Sequence, residues 1–234
     1  MSTLPAPGPN VSGADEPKDA RPLWQRYRAA SHFRSRDEEC DAAMLGMWRF
    51  LTTEILLFAG GFVAYAYFRM LHPEAFANGS HYLDVRWGLL NTIVLLISSY
   101  TVAASIRCAQ LNKQKMLKIN LLITLVCGFL FLAIKFVFEY MPKWSEGKRP
   151  GSLFNYAYAE NNFEHLWWSV YYTATGIHAL HVIVGMGVLF VMYLKARKGF
   201  IGPKHYMGVE IAGLYWHLVD VIWIFLFPLL YLIH

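Results

Sequence analysis

The sequence predicts an all-α integral membrane protein, a bundle of five transmembrane helices with a cytoplasmic N-terminal extension. Charged residues make up only 16% of the 234 residues, whereas soluble domains carry about 25%. Five stretches are predominantly apolar over about 20 residues or more, which is the length a helix needs to cross the hydrocarbon core. These stretches lack the alternation typical of barrel strands, so helices must satisfy their backbone hydrogen bonds.

The chain divides into a tail, residues 1–43, and a membrane domain, residues 44–234. The tail opens with a stretch rich in Pro, Gly and Ser, a composition typical of flexible segments. It has no apolar core of the kind found in signal peptides, so we expect the first membrane helix to direct insertion. The predicted helices span about 44–69, 87–107, 118–140, 166–194 and 206–233.

Basic residues predict the orientation of these helices. Of the 21 Lys and Arg residues, 15 lie beside one set of helix ends and five beside the opposite set. Cytoplasmic loops are enriched in Lys and Arg, so we expect a cytoplasmic N-terminus and an outer C-terminus in a bacterial-type inner membrane. The net charge of +5 resides mainly near these loops and therefore does not indicate nucleic-acid binding.

Ionisable residues within the predicted helices are the first candidates for function, because such groups usually face a protein interior or a water-filled path. They are Glu54, Lys135, Glu139, His178, His181, Glu210, His217 and Asp220. At about 1.5 Å rise per residue, the Glu54 and Glu210 positions fall in the cytoplasmic third. The histidines and Asp220 fall near mid-membrane. Lys135 and Glu139 lie toward the outer face, where they can pair at i,i+4 spacing or both snorkel outward.

The mid-membrane residues form two stripes on the fourth and fifth helices. His178 and His181 are three residues apart, as are His217 and Asp220, so each pair shares a helix face. Glu210 lies seven residues before His217 and extends the second stripe. The simplest interpretation is a polar network that joins the two helices, with Asp220 orienting an imidazole.

Three functional interpretations compete with that structural one. A haem site needs two histidines at matching depth, which His178 or His181 could provide together with His217. A metal site of imidazoles and carboxylates is a second interpretation, although no Glu-x-x-His pair occurs on two helices as in a di-iron bundle. The three cysteines show no paired spacing that would indicate a disulfide framework or a thiolate metal site.

The third interpretation is proton handling by Glu54, because hydrocarbon favours the neutral form of a carboxyl group. The same neutral carboxyl could instead be a hydrogen-bond donor that fixes helix packing.

Four sequence strings carry a resemblance to a known family. They are FLTTEILLFAGGF in the first helix, LLNTIVLLISSYT in the second, TGIHALHVIVG in the fourth and HYMGVEIAGLYWHLVDVIWIFLF in the fifth. Each string alone is a weak match, but their order on successive helices is specific. Over residues 44–232 the chain resembles cytochrome c oxidase subunit III, and the resemblance maps the family's intramembrane glutamate onto Glu54.

The chain departs from the family pattern in two places. Many members have seven helices, and this chain has a soluble tail in place of the first two, which help to enclose a lipid-filled cleft. In the third helix, the separation between Lys135 and Glu139 looks one residue longer than in the family.

The resemblance implies a support subunit with no catalytic residue, metal or other cofactor of its own. Haem and copper would reside in subunits I and II, and this subunit would pack against subunit I. There it would sustain proton uptake, lipid-assisted oxygen access and stability during turnover. Phospholipids and a larger respiratory supercomplex are further partners that the resemblance allows. The alternatives are the equivalent subunit of a quinol oxidase or nitric oxide reductase and, more distantly, a membrane haem protein or a small transporter.

Overall fold

The computed structural model describes residues 23–25, 33–157, 159 and 163–233. Its α-helices are α1 (Arg36–Leu71), α2 (Pro73–His81), α3 (Val85–Gln110), α4 (Gln114–Ile134), α5 (Met141–Ser145), α6 (Glu164–Arg197) and α7 (Met207–Tyr231). A π-helical turn, Lys135–Tyr140, joins α4 to α5 without a break. Within these residues, five segments are long and apolar enough to cross a membrane: α1, α3, the continuous segment from α4 to α5, α6 and α7.

The predicted all-α fold with five membrane-spanning helices is therefore confirmed. Each predicted helix overlaps one observed span, and no β-strand occurs in the described part of the chain. Most of the predicted flexible tail, residues 1–22 and 26–32, lies outside the described residues. The cytoplasmic position of this extension stays a prediction.

Helix α1 begins at Arg36, before the predicted start of the membrane domain at residue 44. The Ser35 side chain accepts a hydrogen bond from the backbone N–H of Glu38 at 3.2 Å. The Glu38 carboxylate in turn accepts one from the backbone N–H of Arg34 at 2.9 Å. This reciprocal arrangement resembles a capping box, and Asp37 adds negative charge where the helix dipole favours it. The helix thus begins in a charged segment before residue 44, where the apolar pattern of the sequence does not indicate a helix.

Helix α7 is the centre of the bundle, because it packs against α1, α2, α3 and α6. Half of its most apolar stretch is buried, compared with 17% of the corresponding stretch of α1, which lies at the periphery. Alternation of the spans places the start of α1 and the α3–α4 and α6–α7 turns on one face, called here the near face. The opposite face, called the far face, holds α2, α5 and the end of α7.

The far-face end of α7 is held by side chains from two other helices. The Tyr65 hydroxyl of α1 donates a hydrogen bond to the carbonyl of Leu229 at 2.6 Å. The Ser80 hydroxyl of α2 donates to the carbonyl of Ile233. Because the last carbonyls of a helix have no intrahelical partner, these contacts fix where α7 ends relative to α1 and α2.

The π-helical turn orients the polar residues of the third span. A π turn closes i→i+5 hydrogen bonds and so holds one residue more than an α turn. Pro142 lies two residues after the end of this turn, and its missing N–H and its ring disfavour regular α-helical hydrogen bonds in the preceding turn. Both Lys135 and Glu139 are buried as a result.

Candidate functional site

Glu54 of α1 and His181 of α6 are hydrogen-bonded across the bundle. The distance between Glu54 Oε2 and His181 Nε2 is 2.7 Å, and the two side chains are 15% and 13% exposed. His181 Nδ1 lies 2.8 Å from the carbonyl oxygen of Ile177, one helical turn earlier in α6. The Phe58 ring packs edge-on against the imidazole, with 5.1 Å between ring centroids. The imidazole is thus held at both nitrogens and on one face.

This geometry fixes the number of protons that the pair holds. A backbone carbonyl can only accept a hydrogen bond, so His181 Nδ1 carries a hydrogen. The 2.7 Å contact between His181 Nε2 and Glu54 Oε2 then needs one proton between the two atoms. Either the glutamic acid donates to a neutral imidazole, or an imidazolium donates to the carboxylate. In both cases the pair has no net charge and one transferable proton.

Hydrogen bonds between side chains join α3 to α7. The three pairs are Ser98 with Trp216 at 2.9 Å, Ser99 with His217 at 2.7 Å, and Thr92 with Trp223 at 3.0 Å. In the first and third pairs the indole N–H donates to the hydroxyl oxygen. These residues belong to two of the strings that carry the family resemblance, so those strings contact each other in the fold.

A buried ionic cluster lies near the far face, around one oxygen of Glu139. Glu139 Oε2 lies 2.6 Å from Lys135 Nζ and accepts a hydrogen bond from the Tyr171 hydroxyl at 2.7 Å. It also accepts a hydrogen bond from the Tyr231 hydroxyl, and Lys143 Nζ lies 3.9 Å away. Lysine and glutamate are rarely buried unless paired. The ion pair between Lys135 and Glu139 lies within the π-helical turn, and the two tyrosine hydroxyls join it to α6 and α7 by hydrogen bonds.

Aromatic rings surround the Lys135 ammonium group. Its Nζ atom lies 5.0 Å from the ring centroid of Tyr171, 4.9 Å from that of Trp223 and 5.1 Å from that of Tyr231. Each distance is within the range of a cation–π interaction. Of the two arrangements that the sequence left open for Lys135 and Glu139, the structure has the inward pair.

The mid-membrane residues are arranged differently from the expected network between α6 and α7. His181 bonds to Glu54 on α1, and His217 bonds to Ser99 on α3. Neither carboxyl oxygen of Asp220 makes a hydrogen bond in the described structure, so Asp220 does not orient an imidazole. The physical reason is that α7 contacts three long helices, and its polar residues face different neighbours.

His178 and Glu210 lie outside these hydrogen-bonded pairs. The His178 ring is fully buried between Phe131 and Trp223, with centroid distances of 5.6 and 5.3 Å. Glu210 lies half-buried in the first turn of α7 at the near face. Among the described residues, no group of three or more His, Cys, Asp and Glu side chains could hold a metal ion.

An apolar cavity of about 280 Å³ lies beside the Glu54–His181 pair. It is bounded by α1, α6 and α7, and its wall includes Phe58, Gly61, Ile177 and Leu226. Phe58 therefore separates the cavity from the imidazole of His181. The cavity is lined mainly by apolar side chains, with Ser169 and Thr173 of α6 among its lining residues, and it lies on the far-face side of the pair.

Comparison with known proteins places this architecture in a family. The family model for cytochrome c oxidase subunit III matches residues 38–234. The chain belongs to the cytochrome c oxidase subunit III family. As a subunit III, it is a multi-pass membrane component of a haem-copper oxidase, and it associates with other oxidase subunits.

Relatives of this subunit III carry two names. A cytochrome c oxidase subunit 3 of Synechocystis sp. is 32% identical over 195 residues, covering 82% of this chain and 76% of that protein. The protein of the same name from Thermostichus vulcanus is 31% identical over 197 residues, covering 84% and 90%. A probable quinol oxidase subunit 3 of Staphylococcus haemolyticus is 29% identical over 201 residues, covering 85% and 92%. The chain is about equally similar to the relatives of either name, so the comparison does not distinguish a cytochrome c oxidase from a quinol oxidase.

Sequence reasoning missed several residues of these clusters. Tyr171 and Tyr231 donate hydrogen bonds to Glu139, which they follow in the sequence by 32 and 92 residues. Lys143 lies beyond the predicted end of the third helix at about residue 140, yet it is only 7% exposed. For the tyrosines, no sequence signal was available beyond their position in apolar helices. For Lys143, the four-residue spacing from Glu139 was a usable signal.

Proposed function

We propose that this subunit III supports proton delivery to the catalytic subunit of its oxidase through the Glu54–His181 pair. The observation that carries the proposal is the single proton that the two side chains must share across 2.7 Å. A pair with no net charge can hold that proton inside the membrane at low cost, since isolated charges there are expensive. Partial exposure of both side chains leaves a path for exchange.

The proposed assembly has haem and copper in subunits I and II, with this chain packed against subunit I and holding no redox centre. The near face would be cytoplasmic, because the helix ends on that side carry 15 of the 21 Lys and Arg residues. Glu54 then lies on the side from which an oxidase takes up its protons. Membership of a larger respiratory supercomplex is compatible with this orientation.

The apolar cavity beside the pair fits a lipid acyl chain or dissolved oxygen. Its walls come from three helices and are mostly apolar, as is typical of sites for apolar ligands. The cavity would connect the membrane interior with the part of α1 that carries Glu54. Bound phospholipid in the purified complex, lost when Gly61 is replaced by Phe, would support this assignment.

The alternative is that the complex takes its electrons from a quinol. The relatives named quinol oxidase subunit 3 favour a quinol as much as the relatives named cytochrome c oxidase subunit 3 favour cytochrome c. The donor binds elsewhere in such complexes. A copurifying subunit II with a dinuclear copper site would identify a cytochrome c oxidase. A subunit II without that site would identify a quinol oxidase.

The test is oxygen consumption and proton uptake by the purified complex with Glu54→Ala or His181→Asn. Both variants should slow proton uptake or speed inactivation during turnover, with haem content unchanged, because each removes one side of the shared proton. Removing a positioned proton-transfer group costs about 10²-fold or more in the step it serves. The control is Glu74→Gln, an exposed carboxylate on α2. Wild-type uptake and wild-type stability in both variants would leave the pair with a packing role alone.

A further inference from the structure

A groove runs along the outside of α7, between α1 and α3. Both helices pack against α7, but within the described structure they do not pack against each other. On the α3 side of the groove, His217 bonds to Ser99 at 2.7 Å. On the α1 side, the ring centroid of Phe225 lies 6.5 Å from that of Phe62. Val221 lies one helical turn from both His217 and Phe225 and is 47% exposed, so it marks the floor of the groove.

The groove crosses the interior of the membrane. His217 lies near the middle of α7, a span long and apolar enough to cross a bilayer. At about 1.5 Å rise per residue, it lies about 15 Å from the near-face end of the helix, half of the roughly 30 Å of hydrocarbon. The exposed residues around it on α7 are Val221, Ile224 and Phe225. Because these side chains are apolar, the groove is open to the membrane interior and not to water.

His217 presents a hydrogen-bond donor to this groove. Its Nδ1 atom is the only acceptor that the Ser99 hydroxyl has in the described structure, so the serine donates its hydrogen there. When one nitrogen of an imidazole accepts, the other carries the hydrogen, and His217 Nε2 is therefore an N–H donor. The residue is half-buried. Nε2 is not among the fully buried atoms, and it has no hydrogen-bond acceptor among the described residues.

A second polar group without its usual partner lies on the same face of α7. Pro228 lies inside the helix and has no N–H to donate to the carbonyl of Ile224, one turn before it. Ile224 is 43% exposed and lies two helical turns beyond His217, so both residues share one face. Lipid chains can neither donate nor accept hydrogen bonds, and polar groups left without a partner in hydrocarbon are costly. This face of α7 therefore fits protein better than it fits lipid.

We propose that the groove binds a transmembrane helix of another oxidase subunit, which offers an oxygen acceptor to His217 Nε2–H. The apolar side chains of such a helix would cover Val221 and Phe225, and its acceptor would satisfy the imidazole. A second copy of this chain fits less well. Two copies related by a two-fold axis along the membrane normal would place the same surface on both sides, and the His217 donor would then face another donor.

The inference rests on the proposed packing against subunit I and names the surface that makes such a contact. It does not depend on the Glu54–His181 pair, which lies between α1 and α6. Proton uptake tests the pair, whereas cross-linking tests the groove. Failure of one proposal is therefore distinguishable from failure of the other.

The first experiment is photocross-linking in the assembled, purified oxidase complex. Benzoylphenylalanine in place of Val221 should form a covalent adduct with another oxidase subunit, which mass spectrometry of the digested adduct identifies. The matched control is the same replacement of Val126, which is 57% exposed at a similar depth on α4 and should give adducts with lipid alone. An adduct of the Val221 variant with lipid alone, or with a second copy of this chain, would overturn the proposal. So would equal adducts of both variants with one subunit.

The second experiment tests the donor with His217→Phe and His217→Gln. Phenylalanine removes the N–H group, whereas glutamine keeps an N–H donor. The apparent dissociation constant of this chain from the complex, measured on dilution in mild detergent, should rise about tenfold for His217→Phe, the effect of one lost hydrogen bond. It should stay near the wild-type value for His217→Gln. Wild-type retention of the His217→Phe chain would contradict the bond from Nε2, and if neither variant assembles, the cross-link at position 221 decides.

Discussion

Replacing Glu139 with Gln should destabilise the far-face end of the bundle more than replacing its partner Lys135 with Met. Glu139 Oε2 is the acceptor for Lys135 at 2.6 Å and lies 3.9 Å from Lys143. Removing one partner of a buried ion pair costs about 3–5 kcal/mol. Glu139→Gln leaves two buried ammonium groups without this carboxylate. We therefore expect the free energy of unfolding to fall by about 5 kcal/mol, the upper end of that range.

The Lys135→Met variant should be less damaging, because the Glu139 carboxylate keeps other partners. Two tyrosine hydroxyls still donate to it, and Lys143 still lies 3.9 Å away. We therefore expect a loss of about 3 kcal/mol, the lower end of the range for a broken buried pair. The double variant should lose less than the sum of the single losses, with a coupling of about 2–3 kcal/mol.

Pulse proteolysis of the assembled oxidase in rising concentrations of denaturing detergent measures these losses as the fraction of intact chain. Glu74→Gln is the control, and as an exposed substitution it should stay within about 0.5 kcal/mol of wild type. Additive losses in the double variant would refute the reasoning. So would a smaller loss in Glu139→Gln than in Lys135→Met.

Two further predictions concern packing and charge. Gly79→Ala should lower the free energy of unfolding by about 1–3 kcal/mol through overpacking, because the added Cβ would lie 2.1 Å from the rigid, fully buried ring of Trp167. The control is Gly60→Ala, whose added Cβ would have nothing within 4 Å. It should leave the proteolysis midpoint unchanged. Burial, and then the positive charge of Arg36, lowers the pKa of His205 in the α6–α7 turn below its ordinary 6.5. As the pH drops below 6.5, His205 binds a proton more readily in the unfolded chain than in the folded chain. The free energy of unfolding should therefore fall over this pH range. In His205→Gln this part of the pH dependence should disappear from the melting temperatures measured between about pH 5 and pH 8, and an unchanged pH profile would contradict the assignment.

The sequence by itself determined the fold class and the number of membrane spans. The reason is that an apolar stretch of sufficient length must be helical in lipid, whatever its neighbours are. The same local logic placed Lys135 and Glu139 within reach of each other, because residues four apart lie on one helix face. The start of α1 was also within reach of local reasoning. The capping residues Ser35 and Glu38 are adjacent in sequence to the helix that they begin.

Only the tertiary structure decided which polar groups meet. Glu54 and His181 are 127 residues apart, and Lys135 and Tyr231 are 96 residues apart. The spacing of the histidines pointed to a network between α6 and α7, but the rotation of α7 turns His217 toward α3 and leaves Asp220 without a donor. Periodicity identifies the face of one helix on which a residue lies. The helix that this face meets depends on packing among all five spans, which is a property of the whole bundle.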